Sequence, residues 1–204
     1  MIELNNLYTG YSKNSPLLQN FNYQFEDNKI YGILGESGCG KTTLLRTIAG
    51  LTKPLSGEVL INGNRVIKPN KSGVYMMHQN YTCFDWLTCL DNVLIAKKVK
   101  ESLSKEDSEK ALKMLEIVKL ADHIHKYPKQ LSGGMRQRLA LARTLFMNPE
   151  IILMDEPLSA LDDDTRADMQ NLIINMHKNS GNIIIMVTHS PKEADKMCDK
   201  IIKF

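Results

Sequence analysis

The feature that most constrains this chain of 204 residues is a glycine-rich turn between an apolar run and a helical pattern. Residues 30–34 read Ile-Tyr-Gly-Ile-Leu, which is typical of a short buried strand, and residues 42–49 space their apolar side chains as a packed helix does. The turn between them, residues 35–42, reads Gly-Glu-Ser-Gly-Cys-Gly-Lys-Thr. Its glycines let successive backbone N–H groups point inward, which predicts a phosphate-binding loop.

The residues of this loop have separate predicted parts in binding a nucleoside triphosphate. A helix that begins near Lys41 adds the positive end of its dipole. The Lys41 ammonium is expected to bridge the β- and γ-phosphates, and the Thr42 hydroxyl to bind Mg²⁺. The predicted ATP-binding residues of the loop are Gly35, Glu36, Ser37, Gly38, Cys39, Gly40, Lys41, Thr42 and Thr43.

A second apolar run, residues 150–156, ends in two carboxylates. The carboxyl ends of parallel strands line the ligand crevice of such a sheet, so we expect Asp155 and Glu156 beside the phosphates. Asp155 is predicted to hold Mg²⁺ through water. Glu156, on the other side of the strand's pleat, is predicted to polarise the attacking water. The alternative, a strand followed by a solvated acidic turn, is disfavoured by the phosphate loop.

Further motifs lie along the chain in a fixed order. They are Tyr11, Gln79, Leu131-Ser132-Gly133-Gly134-Met135, Ser159-Ala160-Leu161-Asp162, and His189 after the apolar run 182–188. With the phosphate loop and the acidic strand, they resemble the nucleotide-binding subunit of an ATP-binding-cassette (ABC) transporter over nearly all of the sequence. The nearest resemblance within that family is to importer ATPases of the nitrate, sulfonate and taurine type.

The resemblance assigns a part to each motif. Tyr11 is expected to stack on adenine, Gln79 to be the Q-loop glutamine, His189 the switch histidine, and Asp162 a D-loop contact to ATP. The implied catalytic residues are Glu156, His189, Gln79 and Lys41. The implied magnesium ligands are Thr42, Gln79 and Asp155, and the implied cofactors are ATP and Mg²⁺.

The resemblance also implies the fold. We expect an α/β fold of the P-loop NTPase (RecA-like) class, with a mostly parallel core sheet, an N-terminal antiparallel β portion and an inserted α-helical subdomain. Residues 1–204 are expected to form one ABC ATPase domain. Within it, residues 1–79 and 149–204 form the core with the β subdomain, and residues from about 80 to 148 form the helical signature subdomain.

The signature turn is expected to act in a second copy of the chain. Ser132 and Gly134 stand at the start of a predicted helix over 137–147, and backbone N–H groups with a hydroxyl at a helix N-terminus form an anion site. By resemblance, Ser132, Gly133 and Gly134 face the ATP of the opposite subunit in a homodimer. Met135 replaces the commonest glutamine of the signature, and this variant resembles importers.

A Phe-x-Trp-Leu-Thr pattern at residues 84–88 resembles the stretch that receives a membrane subunit in such importers. It implies a membrane permease as partner and, through the permease, an extracytoplasmic substrate-binding protein. Trp86 has two interpretations, an anchor for that partner or a buried residue of the helical lobe. Two other functions stay open, an exporter or lipoprotein-release ATPase and a soluble ABC ATPase without a membrane partner.

Composition narrows the partners and the location. The net charge is +3 and the basic residues are dispersed, so we expect no nucleic-acid partner. We find neither a signal peptide nor a membrane-spanning run, so the chain is expected at the cytoplasmic side of the membrane, reached through the permease. Because the sequence ends at Phe204, we expect no regulation through a C-terminal extension.

Cys39 lies near a helix N-terminus and Lys41, which favours its thiolate, although it also fits the loop simply as a small residue.

Overall fold

The computed structural model describes residues 1–12, 15–69, 73–79, 83–99 and 101–204. The chain separates into two compact units. The first consists of Met1–Met76, Pro149–Glu156 and His177–Phe204. The second consists of Met77–Asn148 and Pro157–Met176. The predicted boundary near residue 80 falls outside the described residues, and the predicted domain organisation stays a prediction.

In the part of the chain that the structure describes, six strands and one helix form the N-terminal part, helices occupy the middle, and strands and helices alternate from residue 151 onward. The elements in chain order are β1 (Ile2–Ser12), β2 (Ser15–Phe25), β3 (Ile30–Leu34), α1 (Lys41–Ile48), β4 (Ser56–Ile61), β5 (Asn64–Arg65), β6 (Val74–Met77), α2 (Cys89–Lys98), α3 (Lys105–Ile117), 3-10 turns at Ala121–His123 and Pro128–Gln130, α4 (Gly133–Phe146), β7 (Ile151–Asp155), α5 (Asp163–Ser180), β8 (Ile183–Val187), α6 (Pro191–Met197) and β9 (Lys200–Lys203). Within the described ranges, no helix combines the length and the apolar character needed to span a membrane.

The central sheet has five strands in the order β6-β7-β8-β3-β9. Strand β8 pairs in parallel with β3 and β7, and β3 pairs in parallel with β9. All residues of β3, β7 and β8 are buried, as parallel strands covered on both faces must be. Val187 pairs with both Ile33 and Asp155, so the carboxyl ends of these three strands lie level at one edge. The predicted α/β fold with a parallel sheet is confirmed.

An antiparallel sheet in the order β2-β1-β4-β5 forms the N-terminal β portion, as predicted. Strands β4 and β5 are joined through Asn62 and Gly63, which have φ values of 50° and 75°. These left-handed conformations belong to the tight hairpin turn that an Asn-Gly pair predicts. Side chains of this sheet, such as Leu4, share one buried core with Leu44 of α1 and Leu153 of β7.

Helices α2, α3 and α4 of the second unit pack against one another. Ser104 caps α3 in a reciprocal capping box with Asp107, as its spacing predicts. Trp86, which precedes α2, is 73% exposed, so its interpretation as a buried core residue is wrong. Its ring lies 5.3 Å from that of Phe84, and the Arg143 guanidinium lies over the Phe84 ring at 5.2 Å. The packing of this segment therefore leaves the indole at the surface.

Candidate functional site

The glycine-rich loop lies between the buried strand β3 and helix α1, in the context that the sequence predicts. Gly38 and Gly40 have φ values of 84° and 104°, a left-handed backbone region that residues with a Cβ rarely adopt. Gly40 is also tightly packed, because a Cβ there would lie 3.0 Å from the Cβ of Leu17. The curl of the loop therefore depends on glycine at these positions.

Lys41 is the buried cation of the loop, with 5% of its surface exposed. Its ammonium donates hydrogen bonds to the carbonyl oxygens of Gly35 at 2.8 Å and Glu36 at 2.7 Å. A buried charge is costly unless it is hydrogen-bonded, and these carbonyls supply that stabilisation. The side chain therefore lies along the loop. The adjacent Thr42 is exposed, which makes its hydroxyl accessible to a metal ion.

The two predicted carboxylates lie at the same sheet edge as the loop. Asp155 is the last residue of β7 and is 2% exposed. Glu156 follows it in a left-handed conformation, φ 52°, and its backbone N–H donates to the Val187 carbonyl at 3.0 Å. The strand ends before Glu156, so the expectation that the pleat sets its direction is wrong. The left-handed turn sets that direction, at a cost of about 1–3 kcal/mol for a residue other than glycine.

Glu156 meets His189 across neighbouring strands. Oε1 of Glu156 lies 2.7 Å from Nε2 of His189, which follows β8. The Glu156 side chain is 17% exposed and that of His189 is 45% exposed, so water reaches the pair. A carboxylate and an imidazole at hydrogen-bonding distance can together orient a water molecule and accept its proton.

Residues on both sides of His189 form hydrogen bonds with one another that were not predicted from the sequence. The Thr188 hydroxyl donates to the Glu193 carboxylate and accepts from the Ser190 backbone N–H at 3.1 Å. The Ser190 hydroxyl caps α6 by accepting from the Glu193 backbone N–H at 3.3 Å. The Ser-Pro-Lys-Glu spacing at residues 190–193 is a helix-start signature that could have located Ser190 and Glu193.

Tyr11 belongs to the same unit as the loop and is 92% exposed. It lies near the end of β1, where Gly10 pairs with Pro16 and Ser12 with Ser15 of β2. Leu17, which follows Pro16 in β2, packs against Gly40. This end of the β1–β2 pair therefore lies beside the phosphate loop. An exposed aromatic ring at that place is available for stacking on a base.

The remaining predicted site residues belong to the second unit. Gln79 is exposed in the turn after β6. The others in that unit are Ser132, Gly133, Gly134 and Asp162. The structure thus brings the loop, Asp155, Glu156 and His189 together within the first unit.

The signature turn starts helix α4. The helix begins at Gly133, so the predicted start at residue 137 is wrong. The Ser132 hydroxyl accepts the Met135 backbone N–H at 3.3 Å and acts as the N-cap. Because the first-turn N–H groups have no partner within a helix, a cap there outweighs the poor helix propensity of two glycines. Ser132 and Gly133 are both exposed.

The signature helix is joined to the D-loop through Gln137, which sequence reasoning also missed. Gln137 is fully buried, and its Oε1 accepts the Ala160 backbone N–H at 3.0 Å. Gly134 packs there too, since a Cβ would lie 3.1 Å from the Ala160 carbonyl oxygen. Asp162 accepts the Thr165 backbone N–H at 3.0 Å, and this hydrogen bond lowers the pKa of Asp162. The N-terminal part of α4 therefore packs directly against the D-loop.

A glycine loop with a buried lysine can hold a triphosphate, and the Glu156–His189 pair at the same sheet edge can activate water. This fold and this chemistry define a P-loop ATPase. Residues 18–159 match the ABC transporter family, and the chain belongs to that family. The predicted family, ATPase class and ATP and Mg²⁺ cofactors are thereby confirmed.

The sequences of named import ATP-binding proteins match all or nearly all of this chain. The aliphatic sulfonates import ATP-binding protein SsuB of Bacillus cereus is 36% identical, over 98% of this chain and 80% of the relative. The spermidine/putrescine import ATP-binding protein PotA of Legionella pneumophila (strain Paris) is 38% identical over 100% of this chain. The chain spans about half the length of PotA, 56%.

A solved structure agrees with the fold. It is the dimeric, post-hydrolysis state of the ATP-binding cassette MJ0796 bound to ADP and Pi. Its TM-score is 0.92 at 30% sequence identity, and the match covers 100% of this chain and 94% of that chain.

Proposed function

We propose that this chain is the ATP-hydrolysing subunit of an ABC importer, in which two copies close around ATP and drive a membrane permease. The observation that carries the hydrolytic part is the 2.7 Å contact between Glu156 and His189, level with the phosphate loop. Importer-named relatives, SsuB and PotA, support the direction of transport. We also propose that residues 1–204 form a single ABC ATPase domain.

The phosphate loop holds the nucleotide. Its N–H groups and the N-terminus of α1 surround the phosphates, and Lys41 leaves the Gly35 and Glu36 carbonyls for them, because a phosphate makes the stronger charge-assisted bond. The exposed Thr42 hydroxyl and the Asp155 carboxylate fit Mg²⁺ as oxygen ligands. The part of Gln79 as a third ligand stays a prediction from the family resemblance. The metal, when bound, supplies positive charge that balances the phosphate oxygens.

Hydrolysis follows from the carboxylate and the imidazole. Glu156 accepts a proton from a water molecule whose oxygen attacks the γ-phosphorus. The bond from that phosphorus to the bridging oxygen breaks, leaving ADP and phosphate. His189 orients the water and holds the γ-phosphate through a hydrogen bond.

The signature turn acts on the nucleotide of the second copy. Ser132, Gly133 and Gly134 present a hydroxyl and backbone N–H groups at the start of a helix of 14 residues, which attracts an anion. Tyr11 stacks on adenine in its own copy, and Asp162 contributes from the D-loop. The dimer of MJ0796 with ADP and Pi supports such a pair.

We propose Trp86 as an anchor for the permease at the cytoplasmic side of the membrane, with a substrate-binding protein on the other side. A large exposed aromatic ring that rests on Phe84 is a suitable hot spot for a protein partner. Because Trp86 is the only tryptophan, its fluorescence should shift when purified permease is added. Trp86→Ala should weaken assembly and spare ATP binding. Normal assembly of that variant would contradict the anchor.

The hydrolytic role is tested with Glu156→Gln and a matched variant, Glu150→Gln. Both remove one negative charge next to β7, but Glu150 is exposed at the opposite end of the strand. Glu156→Gln keeps the size of the side chain and loses the proton acceptor, so hydrolysis should fall roughly 10²–10⁴-fold. Glu150→Gln should hydrolyse at the wild-type rate. A Glu156→Gln protein with the wild-type rate would remove Glu156 from catalysis.

A further inference from the structure

The geometry points to Thr188 and Glu193 as positioning residues for hydrolysis, which hold the backbone on both sides of His189 so that its imidazole stays at Glu156. This inference rests on the proposed role of His189. Neither side chain contacts the nucleotide in the proposed mechanism. Both act through the histidine between Thr188 and Ser190.

Thr188 fixes the chain before the histidine. Its backbone N–H donates to the Ile33 carbonyl at 3.2 Å, which ties it to the strand that leads into the phosphate loop. Its hydroxyl donates to the Glu193 carboxylate and accepts the Ser190 N–H at 3.1 Å. One side chain thus connects both flanks of His189 to the same carboxylate.

The Glu193 carboxylate holds the Thr188 hydroxyl, which in turn binds the Ser190 N–H after the histidine. Glu193 is 7% exposed, and its backbone N–H donates to the Ser190 hydroxyl at 3.3 Å. A carboxylate with so little solvent is costly to bury and gains little for folding over an apolar side chain. Its bond to the Thr188 hydroxyl, next to the residue that contacts Glu156, gives it a second role, the alignment of the reacting groups.

The effect of such alignment on the rate of hydrolysis can be measured. A displacement of about 1 Å at a reacting group can cost about 10²-fold in rate. The His189 side chain is 45% exposed, so packing covers only part of it, and the hydrogen bonds on its two flanks limit where the imidazole can lie. We therefore expect loss of the Thr188 hydroxyl or the Glu193 carboxylate to lower kcat roughly 10- to 100-fold and to leave the KM for ATP unchanged.

The test measures ATPase kinetics, ATP affinity and the melting temperature of Thr188→Val, Thr188→Ser and Glu193→Ala. Thr188→Val keeps the shape and loses the hydroxyl, whereas Thr188→Ser keeps the hydroxyl and should retain activity. Asp195→Ala is the matched control, because it truncates an exposed carboxylate on the same helix and should hydrolyse normally. The double variant of Thr188→Val with Glu193→Ala should lose no more than either alone, since the two act as a unit.

The decisive comparison is made in a His189→Ala background. There Thr188→Val should lower hydrolysis no further, because its effect passes through the histidine. A full additional loss, or a wild-type rate for Thr188→Val with His189 present, would overturn the inference. If Glu193→Ala fails to fold, the Thr188→Val and Thr188→Ser pair still decides the matter. Wild-type hydrolysis by His189→Ala alone would instead contradict the proposed role of the histidine.

Discussion

The phosphate loop and the signature turn are both glycine-rich and both precede a helix, yet they differ in how far their residues are buried. The loop follows a fully buried strand, and its Lys41 is buried and bound to carbonyls of the same loop. In the signature turn, Ser132 and Gly133 are exposed, and a Cβ at Gly133 would have no atom within 4 Å, whereas one at Gly40 of the loop would lie 3.0 Å from Leu17. The base of the loop is therefore packed and carries its own buried cation, whereas the signature turn lies open at the surface.

We infer from this difference that ATP binding depends mainly on the loop and that the signature turn is needed for hydrolysis. A pocket with its own cation can hold a triphosphate within one copy. An exposed helix N-terminus attracts an anion but cannot enclose one, so it acts when another surface brings the anion to it. Changes in the loop should weaken ATP binding, and changes in the turn should lower hydrolysis while the isolated chain still binds ATP.

The largest effect is expected from Lys41→Ala. A triphosphate in the loop would lose its main counter-charge, which costs roughly 3–4 kcal/mol, about 10²- to 10³-fold in affinity. Lys53→Ala, an exposed lysine of the same unit, should bind ATP normally. Titration with a fluorescent nucleotide measures both. Unchanged affinity of Lys41→Ala would mean that the loop is not the pocket.

Ser132→Arg should leave ATP binding by the isolated chain intact and lower hydrolysis by roughly 10²-fold, as loss of a donor to a charged transition state does. Ser104→Arg is the matched control, because Ser104 is also an exposed N-cap serine of the second unit. Both variants should lose about 1 kcal/mol of stability from the missing cap. If both hydrolyse equally well, the signature turn has no part in the reaction.

A smaller effect is expected from Tyr11→Ala. Loss of base stacking should weaken ATP affinity by about 1–3 kcal/mol and leave kcat unchanged at saturating ATP. Tyr11→Phe keeps the ring and should bind like wild type. Equal affinity of all three proteins would show that the exposed ring does not contact adenine.

The smallest effect concerns thiol labelling at neutral pH. Burial raises the pKa of Cys198 to about 12 and that of Cys89 to about 11, and it also raises the pKa of Cys83. Since the thiolate is the reactive form, Cys39 should be labelled first, and ATP with Mg²⁺ should slow its labelling several-fold. Peptide mapping by mass spectrometry identifies the site. Labelling of Cys39 at the same rate with and without nucleotide would contradict its place in the pocket.

The sequence predicted those parts of the molecule that local rules determine. The strand, glycine loop and helix of residues 30–48 follow from periodicity and glycine spacing, and the Ser104 cap from its partner three residues on. The left-handed Glu156 could not be predicted, because a hydrogen bond to Val187 from a distant strand holds it.

The start of α4 and the bonds around His189 show the same limit. Two glycines predict a late helix start, but the Ser132 cap starts the helix at Gly133. The link from Gln137 to Ala160, like that from Thr188 to Glu193, joins side chains whose direction depends on packing. Family resemblance located Glu156 and His189, and only the structure shows that they meet.

The most direct test of the central claim, that loop and signature turn act on one nucleotide from two copies, is the assembly state of Glu156→Gln with ATP. This variant should bind ATP through Lys41 and cleave it very slowly, so the closed pair should accumulate. Size-exclusion chromatography with saturating ATP and Mg²⁺ should show a dimer for Glu156→Gln and a monomer for Glu156→Gln with Ser132→Arg. A Glu156→Gln protein that binds ATP and stays monomeric, or a dimer that survives Ser132→Arg, would contradict the account.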